Sequence, residues 1–364
     1  MVLKVDLEGG IRVRYTMDFS LFSILISVYN MEKYIGKCIY SVLEQTYPNF
    51  EVIIIDAGST DDSGKICDRY AQLDDRIKVY HQARQGIGKV RRNAVERACG
   101  DYYLFLNGND YWECDLLETL SRTIWNYNCD LMIFNDKNAG AEGKVSGNPI
   151  FEDGSLFDRY NKSRIFEAIL NGNQLNKLHT FAVKNTIIHS SDKQISQMKM
   201  DGDHAYILPF IFKANRIIYL DKPMYNYRVL PQRMTKKVYF NRISDTVKVH
   251  KLLLRYLELL NMCDKKHLEQ FYNSFMKLVL GYISELSISR INYIQKRKML
   301  NKIQNISLYQ NGTVYMDKSA FTANEKILLY LMKQKYYDLV ILNEQKNKIV
   351  YFLLYKIYKK IEDI

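Results

Sequence analysis

Over the first 135 residues, short apolar runs alternate with stretches whose apolar residues recur at helical spacing. Phe22-Ser-Ile-Leu-Ile-Ser-Val28 reads as a strand. Tyr34, Ile35, Cys38, Ile39, Val42 and Leu43 then mark one face of a helix, and the pattern stops before Pro48. Glu51-Val-Ile-Ile-Ile55 predicts a second strand, continuously apolar as a parallel strand covered on both faces should be. Ser59-Thr60-Asp61-Asp62 offers N-cap side chains and acidic charge to a helix running to Tyr70. Further strands are predicted at Ile77 to Tyr80, Tyr102 to Leu106 and Asp130 to Phe134. Helices are predicted from Gly88 to Ala98 and from Glu113 to Tyr127.

Strand-helix alternation of this kind predicts an α/β fold with a doubly wound, mostly parallel sheet. Ligands on such sheets bind outside the carboxyl ends of the strands. Those ends carry Tyr29-Asn30, Asp56-Ala57-Gly58, His81-Gln82 and Asn107-Gly108-Asn109-Asp110, all small or polar. Residues 136–160 are rich in Asn, Gly and Asp and read as a loop or hairpin insertion. Residues 161–230 return to mixed helix and strand, and the Lys-, Leu-, Ile- and Tyr-rich remainder has helical periodicity. The expected division is an N-terminal extension over 1–20, the sheet domain over 21–235 and a helical C-terminal domain over 236–364.

Charge narrows the partners only in part. Lys plus Arg outnumber Asp plus Glu by 52 to 40, which favours nucleotide phosphates, anionic lipid surfaces or nucleic acid. The basic residues are dispersed and no nucleic-acid motif occurs, so nucleic acid is set aside. The six cysteines form no Cys-x-x-Cys pair and no His stands at zinc-ligand spacing from them, so they read as reduced thiols. The first sixteen residues lack the basic start and apolar middle of a secretory leader. Phe19 to Val28 is far shorter than the ~20 residues that span a bilayer. A cytoplasmic location is the expectation.

Several ordered segments carry a resemblance. They are Ser23-Ile-Leu-Ile-Ser-Val-Tyr-Asn30 and Ser41-Val-Leu-Glu-Gln-Thr-Tyr-Pro-Asn-Phe-Glu-Val-Ile-Ile-Ile-Asp-Ala-Gly-Ser-Thr-Asp61. Next come Gln85-Gly86 followed by Arg91, and Gly100-Asp-Tyr-Tyr-Leu-Phe-Leu-Asn-Gly-Asn-Asp-Tyr-Trp112. The last are Asn176-Lys177-Leu178 and the stretch from Asp203 to Arg228. In these segments, across residues 20–230, the sequence resembles the family 2 glycosyltransferases, a GT-A family. The resemblance implies transfer of a sugar from a nucleotide donor to an acceptor hydroxyl, with inversion at the anomeric carbon. Such chemistry needs a base-and-ribose site, a diphosphate clamp and a general base. A divalent metal held by carboxylates usually neutralises the leaving group.

Carried onto this chain, the resemblance puts Tyr29 and Asp56 at the nucleotide. An Asp that only shapes a turn is the other reading of Asp56. The family's second Asp in that loop is Ala57 here. Arg91 matches the family's Arg and is a candidate for the donor's diphosphate, with Lys89 and Arg92 beside it; a solvated basic helix face is the alternative. The family's Asp-x-Asp becomes Asn107-Gly108-Asn109. Mn²⁺ and Mg²⁺ prefer anionic oxygens, so two amides in place of two carboxylates leave Asp110 as the candidate metal ligand and put the divalent metal in question. Asn-Gly is also a favoured turn dipeptide with no chemistry. Asp203 stands at the family's catalytic base, and as an Asp preceding the helical run His204 to Lys213 it also suits an N-cap. Arg228, with Arg233 of Gln232-Arg-Met-Thr235, falls in the segment that closes over the donor in the family.

Val350-Tyr-Phe-Leu-Leu-Tyr-Lys-Ile-Tyr-Lys-Lys-Ile361 mixes apolar, Tyr and Lys residues as an interfacial membrane helix does. A helix packed on its own domain or on another subunit fits it too. The implied partners are a nucleotide-sugar donor, with a UDP-sugar favoured, and a glycan or lipid-linked glycan acceptor at the inner face of the membrane. Two functions stay open: an active transferase in surface polysaccharide or glycoconjugate synthesis, or a pseudo-glycosyltransferase serving as the scaffolding subunit of an active partner. Losses at Ala57, Asn107 and Asn109 motivate the second.

Overall fold

A computed structural model describes residues 20–139, 149–172, 175–190, 202–229 and 239–344. It divides into two compact units. The first comprises Met1–Lys162, Asn176–Met198 and Gly202–Gln232; the second comprises Ser163–Leu175, Lys199–Asp201 and Arg233–Ile364.

The first unit opens as the sequence pattern predicts. Strand β1 (Phe22–Val28) leads to helix α1 (Ile35–Leu43), β2 (Phe50–Asp56) to α2 (Ser63–Leu73), and β3 (Ile77–His81) to α3 (Ile87–Val95). β4 (Tyr102–Asn107) follows, then a two-residue β5 (Tyr111–Trp112), α4 (Leu116–Tyr127) and β6 (Leu131–Asn138). Every residue of β2 is buried, which explains its unbroken apolar run. Beyond β6 the unit contains β7 (Leu156–Asp158), β8 (Phe181–Lys184), α6 (Asn185–His189), α7 (Gly202–Lys213) and the long β9 (Arg216–Tyr227). The intervening α5 (Ser163–Leu170) lies in the second unit.

All these strands form one nine-stranded sheet in the order β3-β2-β1-β4-β8-β6-β9-β5, with β7 also on β9. β3, β2, β1 and β4 are parallel. β8 is antiparallel to both β4 and β6, and β5 and β7 are antiparallel to β9. The sheet is therefore mostly parallel but mixed. The chain leaves β1 to one side for β2 and β3 and returns on the other side for β4. That reversal opens a crevice at the carboxyl ends of β1 and β4.

The second unit is helical. Its α9 (Lys265–Ile288) buries Phe271, Phe275, Met276, Val279, Leu280, Ile283 and Leu286. Around it run α8 (Tyr239–Leu259), α10 (Tyr293–Gln304), α11 (Ser307–Tyr315), α12 (Ala323–Lys333) and α13 (Tyr337–Glu344). Each start is chemically marked where a cap is present: Asp264 accepts from the His267 N–H, Asn292 from Gln295 N–H, and Thr322 forms a reciprocal capping box with Glu325. Among the described residues no helix is long and apolar enough to cross a membrane. The Val350–Ile361 segment, most of the 1–20 extension and Gln232–Thr235 lie outside the described residues.

Candidate functional site

The strand ends are stitched together by loop hydrogen bonds. Asn30, at φ 51°, uses the left-handed conformation that Asn tolerates better than most residues. Its side-chain oxygen accepts from the Thr60 N–H at 2.8 Å, and its own N–H donates to Ser59 Oγ at 3.0 Å. Asp61 Oδ1 accepts from the N–H and the hydroxyl of Ser63, so the β2–α2 loop is fixed by Asp61 rather than by an N-cap side chain. Gly58 sits at φ +76°, and a Cβ there would stand 3.1 Å from both Arg84 N and Gln82 O. Only glycine meets both demands at low cost.

Asp56 ends β2 and is 5% exposed. Its Oδ1 accepts from Ser59 N–H at 3.0 Å, and its Oδ2 faces His81 Nδ1 at 2.9 Å. Tyr29, just past β1, lies under the Arg84 guanidinium at 4.4 Å. The aromatic face expected to meet a nucleotide base thus stacks with a planar cation.

The turn after β4 differs from the sequence expectation. Asp110, the expected metal ligand, is fully buried and is the acceptor at the centre of a hydrogen-bonded shell. Oδ2 accepts from the Tyr225 hydroxyl at 2.7 Å and from Asn107 Nδ2 at 3.1 Å. Oδ1 accepts from Asn109 Nδ2 at 2.9 Å and from the Arg228 N–H at 2.8 Å. A carboxylate offers about four acceptor directions, and four donors occupy them. Burial raises the Asp110 carboxyl above its ordinary range, and the donors from Arg228, Tyr225 and Asn107 offset this only in part. Gly108 permits the turn, because a Cβ there would stand 3.1 Å from Ser27 O.

A divalent cation, which the family resemblance brings with it, needs several hard, preferably anionic oxygens. Among the described residues no three His, Cys, Asp or Glu stand together to hold one. The single carboxylate at this turn is saturated by protein donors, and both asparagine amides point their N–H groups at it. The donor set does not fit the ion. Cations do adjoin the turn. Arg228 Nη1 donates to the Asn109 carbonyl at 2.7 Å, and its guanidinium lies 4.9 Å over the Tyr111 ring. Lys37 Nζ also lies over that ring, at 3.8 Å.

Arg91 and Asp203 were expected at separate tasks, one at the diphosphate and one at the acceptor. The structure pairs them: Arg91 Nη1 is 2.6 Å from Asp203 Oδ1, as an ionic contact rather than an aligned hydrogen bond. Asp203 lies inside the first turn of α7, and its Oδ2 accepts from Leu178 N–H at 3.2 Å instead of capping the helix. Arg91 is thus tied to the expected catalytic carboxylate.

A second buried network was missed from sequence. Asp136, at a bulge in the β6–β9 pairing, accepts from Lys177 Nζ at 2.9 and 2.8 Å. Its Oδ2 is 3.6 Å from His179 Nε2, and the His179 ring stacks on Tyr225 at 4.1 Å. Burial works to raise the Asp136 carboxyl, but contacts from His179 and Lys177 outweigh it and hold it below its ordinary range. Tyr225 therefore touches both networks. The Asn-Lys-Leu segment was a sequence signal for Lys177; nothing in the sequence paired it with Asp136.

Comparison with known proteins is consistent with this arrangement. EpsH of Bacillus subtilis, whose name assigns it provisionally to the glycosyltransferases, is 26% identical over 338 residues, covering 88% of this chain and 93% of its own. The poly(ribitol-phosphate) beta-N-acetylglucosaminyltransferase TarS of Staphylococcus aureus is 24% identical over 260 residues, covering 70% of this chain but 43% of its own length. The crystal structure of S. aureus TarS 1-349 in complex with UDP-GlcNAc superposes with a TM-score of 0.63 at 20% identity, over 90% of this chain and 91% of that one, a likeness of fold. Residues 23–192 match the model of "Glycosyl transferase family 2", so that segment of the chain is a domain of this family, with a GT-A fold.

Proposed function

We propose that the protein is an inverting glycosyltransferase that moves a sugar from a UDP-sugar to a hydroxyl of a glycan or lipid-linked glycan in cell-surface polysaccharide synthesis. The observation that carries this reading is the placement of Asp203. Its side chain is one-third exposed, held by Arg91 and Leu178, in the same compact unit as the Tyr29, Asp56 and Asn107–Asp110 strand ends. The name of TarS supports a surface-polymer acceptor, and its complex with UDP-GlcNAc supports a UDP-sugar donor.

In this reading Tyr29 and Asp56 take the base and ribose. The acceptor oxygen bonds to the anomeric carbon, the bond from that carbon to the diphosphate oxygen breaks, and UDP leaves with the bonding pair. Asp203 takes the acceptor's proton. Arg91 fixes the orientation of that carboxylate. Arg228, with Lys37 across Tyr111, answers the charge growing on the diphosphate. A lipid-linked acceptor would place the enzyme at the inner face of the cell membrane. Purified protein with a panel of UDP-sugars and lipid-linked acceptors tests the reading. Absence of both transfer and donor hydrolysis across the panel would sink it.

A second reading is favoured by the saturated Asp110 and by the neutral residues at Ala57, Asn107 and Asn109. The chain would then be a scaffolding subunit of an active transferase. A stable complex with such an enzyme, together with no turnover by the chain alone, selects this reading.

A further inference from the structure

His81 stands at one of the strand ends, and no role follows for it from the sequence. It ends β3 directly opposite Asp56 in the parallel register. Its Nδ1 is 2.9 Å from Asp56 Oδ2, and its Nε2 is 3.0 Å from Asp68 Oδ1 on α2. Ionised carboxylates only accept hydrogen bonds. A neutral imidazole has one N–H and satisfies one of them; the imidazolium satisfies both. The close approach of α2 depends on Gly64, where a Cβ would stand 3.1 Å from Asp56 Oδ2 and 3.2 Å from His81 Cε1. With Ser59 N–H on Oδ1, each oxygen of Asp56 is fixed by one donor and keeps a lone-pair direction free. The Asp56 side chain is 7% exposed and that of His81 50%, so the ring can exchange protons with solvent from which the carboxylate is largely shielded.

We propose that His81 is a positioning residue. As an imidazolium bridging Asp56 and Asp68, it fixes the Asp56 carboxylate as acceptor for the N–H edge of the donor's base, and donor affinity carries the titration of the ring. This rests on the reading of Asp56 as a nucleotide contact. The titratable groups facing the ring are Asp56 from β2 and Asp68 from α2. Cys67 of α2 adjoins both carboxylates, but burial pushes its thiol up to about 12, outside the range of interest. Hydrogen bonds to Asp56 and then Asp68 raise the His81 pKa above its ordinary value. The bridge is complete below that ordinary value and is lost as pH rises through the raised one.

The experiment is calorimetric titration of UDP into the full chain from about pH 6 to about pH 8.5, with wild type, His81→Gln and His81→Leu. Inorganic pyrophosphate serves as a ligand without a base. Phosphate ionisation acts alike on all three chains, so the readout is the ratio of wild-type to variant affinity. Toward low pH, UDP is expected to bind wild type on the order of tenfold more tightly than His81→Leu. His81→Gln, with one amide donor for Asp56, should fall between. The advantage of wild type should shrink as pH rises, and pyrophosphate should bind all three equally. A pH-independent ratio, or equal UDP affinity in wild type and His81→Gln, overturns the inference and leaves the donor site standing. If wild type binds no UDP at any pH, the donor-site reading fails and the inference with it. Should His81→Leu not fold, the comparison of wild type with His81→Gln decides alone.

Discussion

The Tyr225 hydroxyl donates to Asp110 Oδ2 at 2.7 Å, tying the end of β9 to the turn after β4. Both groups are fully buried. Removing the hydroxyl leaves one acceptor direction of a buried carboxylate without its donor. Tyr225→Phe is expected to lose about 1.5–3 kcal/mol of stability, the range for a hydrogen bond to a charged group. Asp110→Asn should cost more, because an amide places its own N–H among four donors. Urea unfolding checks both. A Tyr225→Phe chain as stable as wild type would deny the shell its structural role.

Asp203 is set apart from Asp110 by exposure: a third of its side chain meets solvent, whereas Asp110 meets none. Asp203→Asn keeps the shape and an acceptor for Leu178 N–H but removes the proton acceptor. Transfer is expected to fall about 10²–10⁴-fold, with UDP affinity within threefold or so of wild type because the nucleotide contacts proposed above are made by other residues. Unchanged turnover would assign the base to another residue.

The parallel half of the sheet was legible because its strands are predominantly apolar and its helices keep one apolar face. β1, β2, β3 and β4 fall within a residue or two of their predicted spans. β5 was not legible, since two residues have no period. β8 was missed because the sheet's antiparallel insertion depends on pairing between distant segments, Leu104 with Ala182 and Met132 with Ala182. At the site, the motif positions could be read from sequence but their partners could not. Arg91 and Asp203 are 112 positions apart and Asp136 and Lys177 are 41 apart, and only the folded sheet brings each pair together. The hydrogen-bonded shell of Asp110 was not legible for a related reason. Two of its four donors, the Tyr225 hydroxyl and the Arg228 N–H, stand more than 100 positions away in the sequence and reach the carboxylate only in the folded sheet.

The donor set around Asp110 bears directly on metal dependence. Nucleotide binding that relies on Arg228 and Lys37 should survive a chelator. UDP affinity is expected to change less than threefold or so between EDTA and Mn²⁺, since no carboxylate cluster stands among the described residues to gain from the ion. Arg228→Met should weaken UDP and pyrophosphate alike, by about tenfold for one lost charge-assisted contact. An affinity that rises steeply with Mn²⁺ would mean that Asp110 leaves its shell and enters the ion's coordination sphere.

Acid stability tests the second network. Asp136 is held below its ordinary range by His179 and Lys177 despite burial. A depressed carboxylate contributes stability that is fully present above its unfolded value, about 3.9, and that disappears as pH falls through the lower folded value. Wild type should therefore lose stability between about pH 5 and the acid limit of its folded state. Asp136→Asn should be less stable near neutrality and flatter across that acid window. The neutral-pH cost is expected to be about 2 kcal/mol. It should lie below the roughly 3–5 kcal/mol of a fully buried broken pair, because Lys177 keeps 24% of its side chain in solvent and can turn outward. Parallel curves for the two chains across the acid window would show that Asp136 is not the group whose protonation loosens the β6–β9 junction; Asp110, whose carboxyl is raised by burial, predicts the opposite slope and would not account for the acid loss.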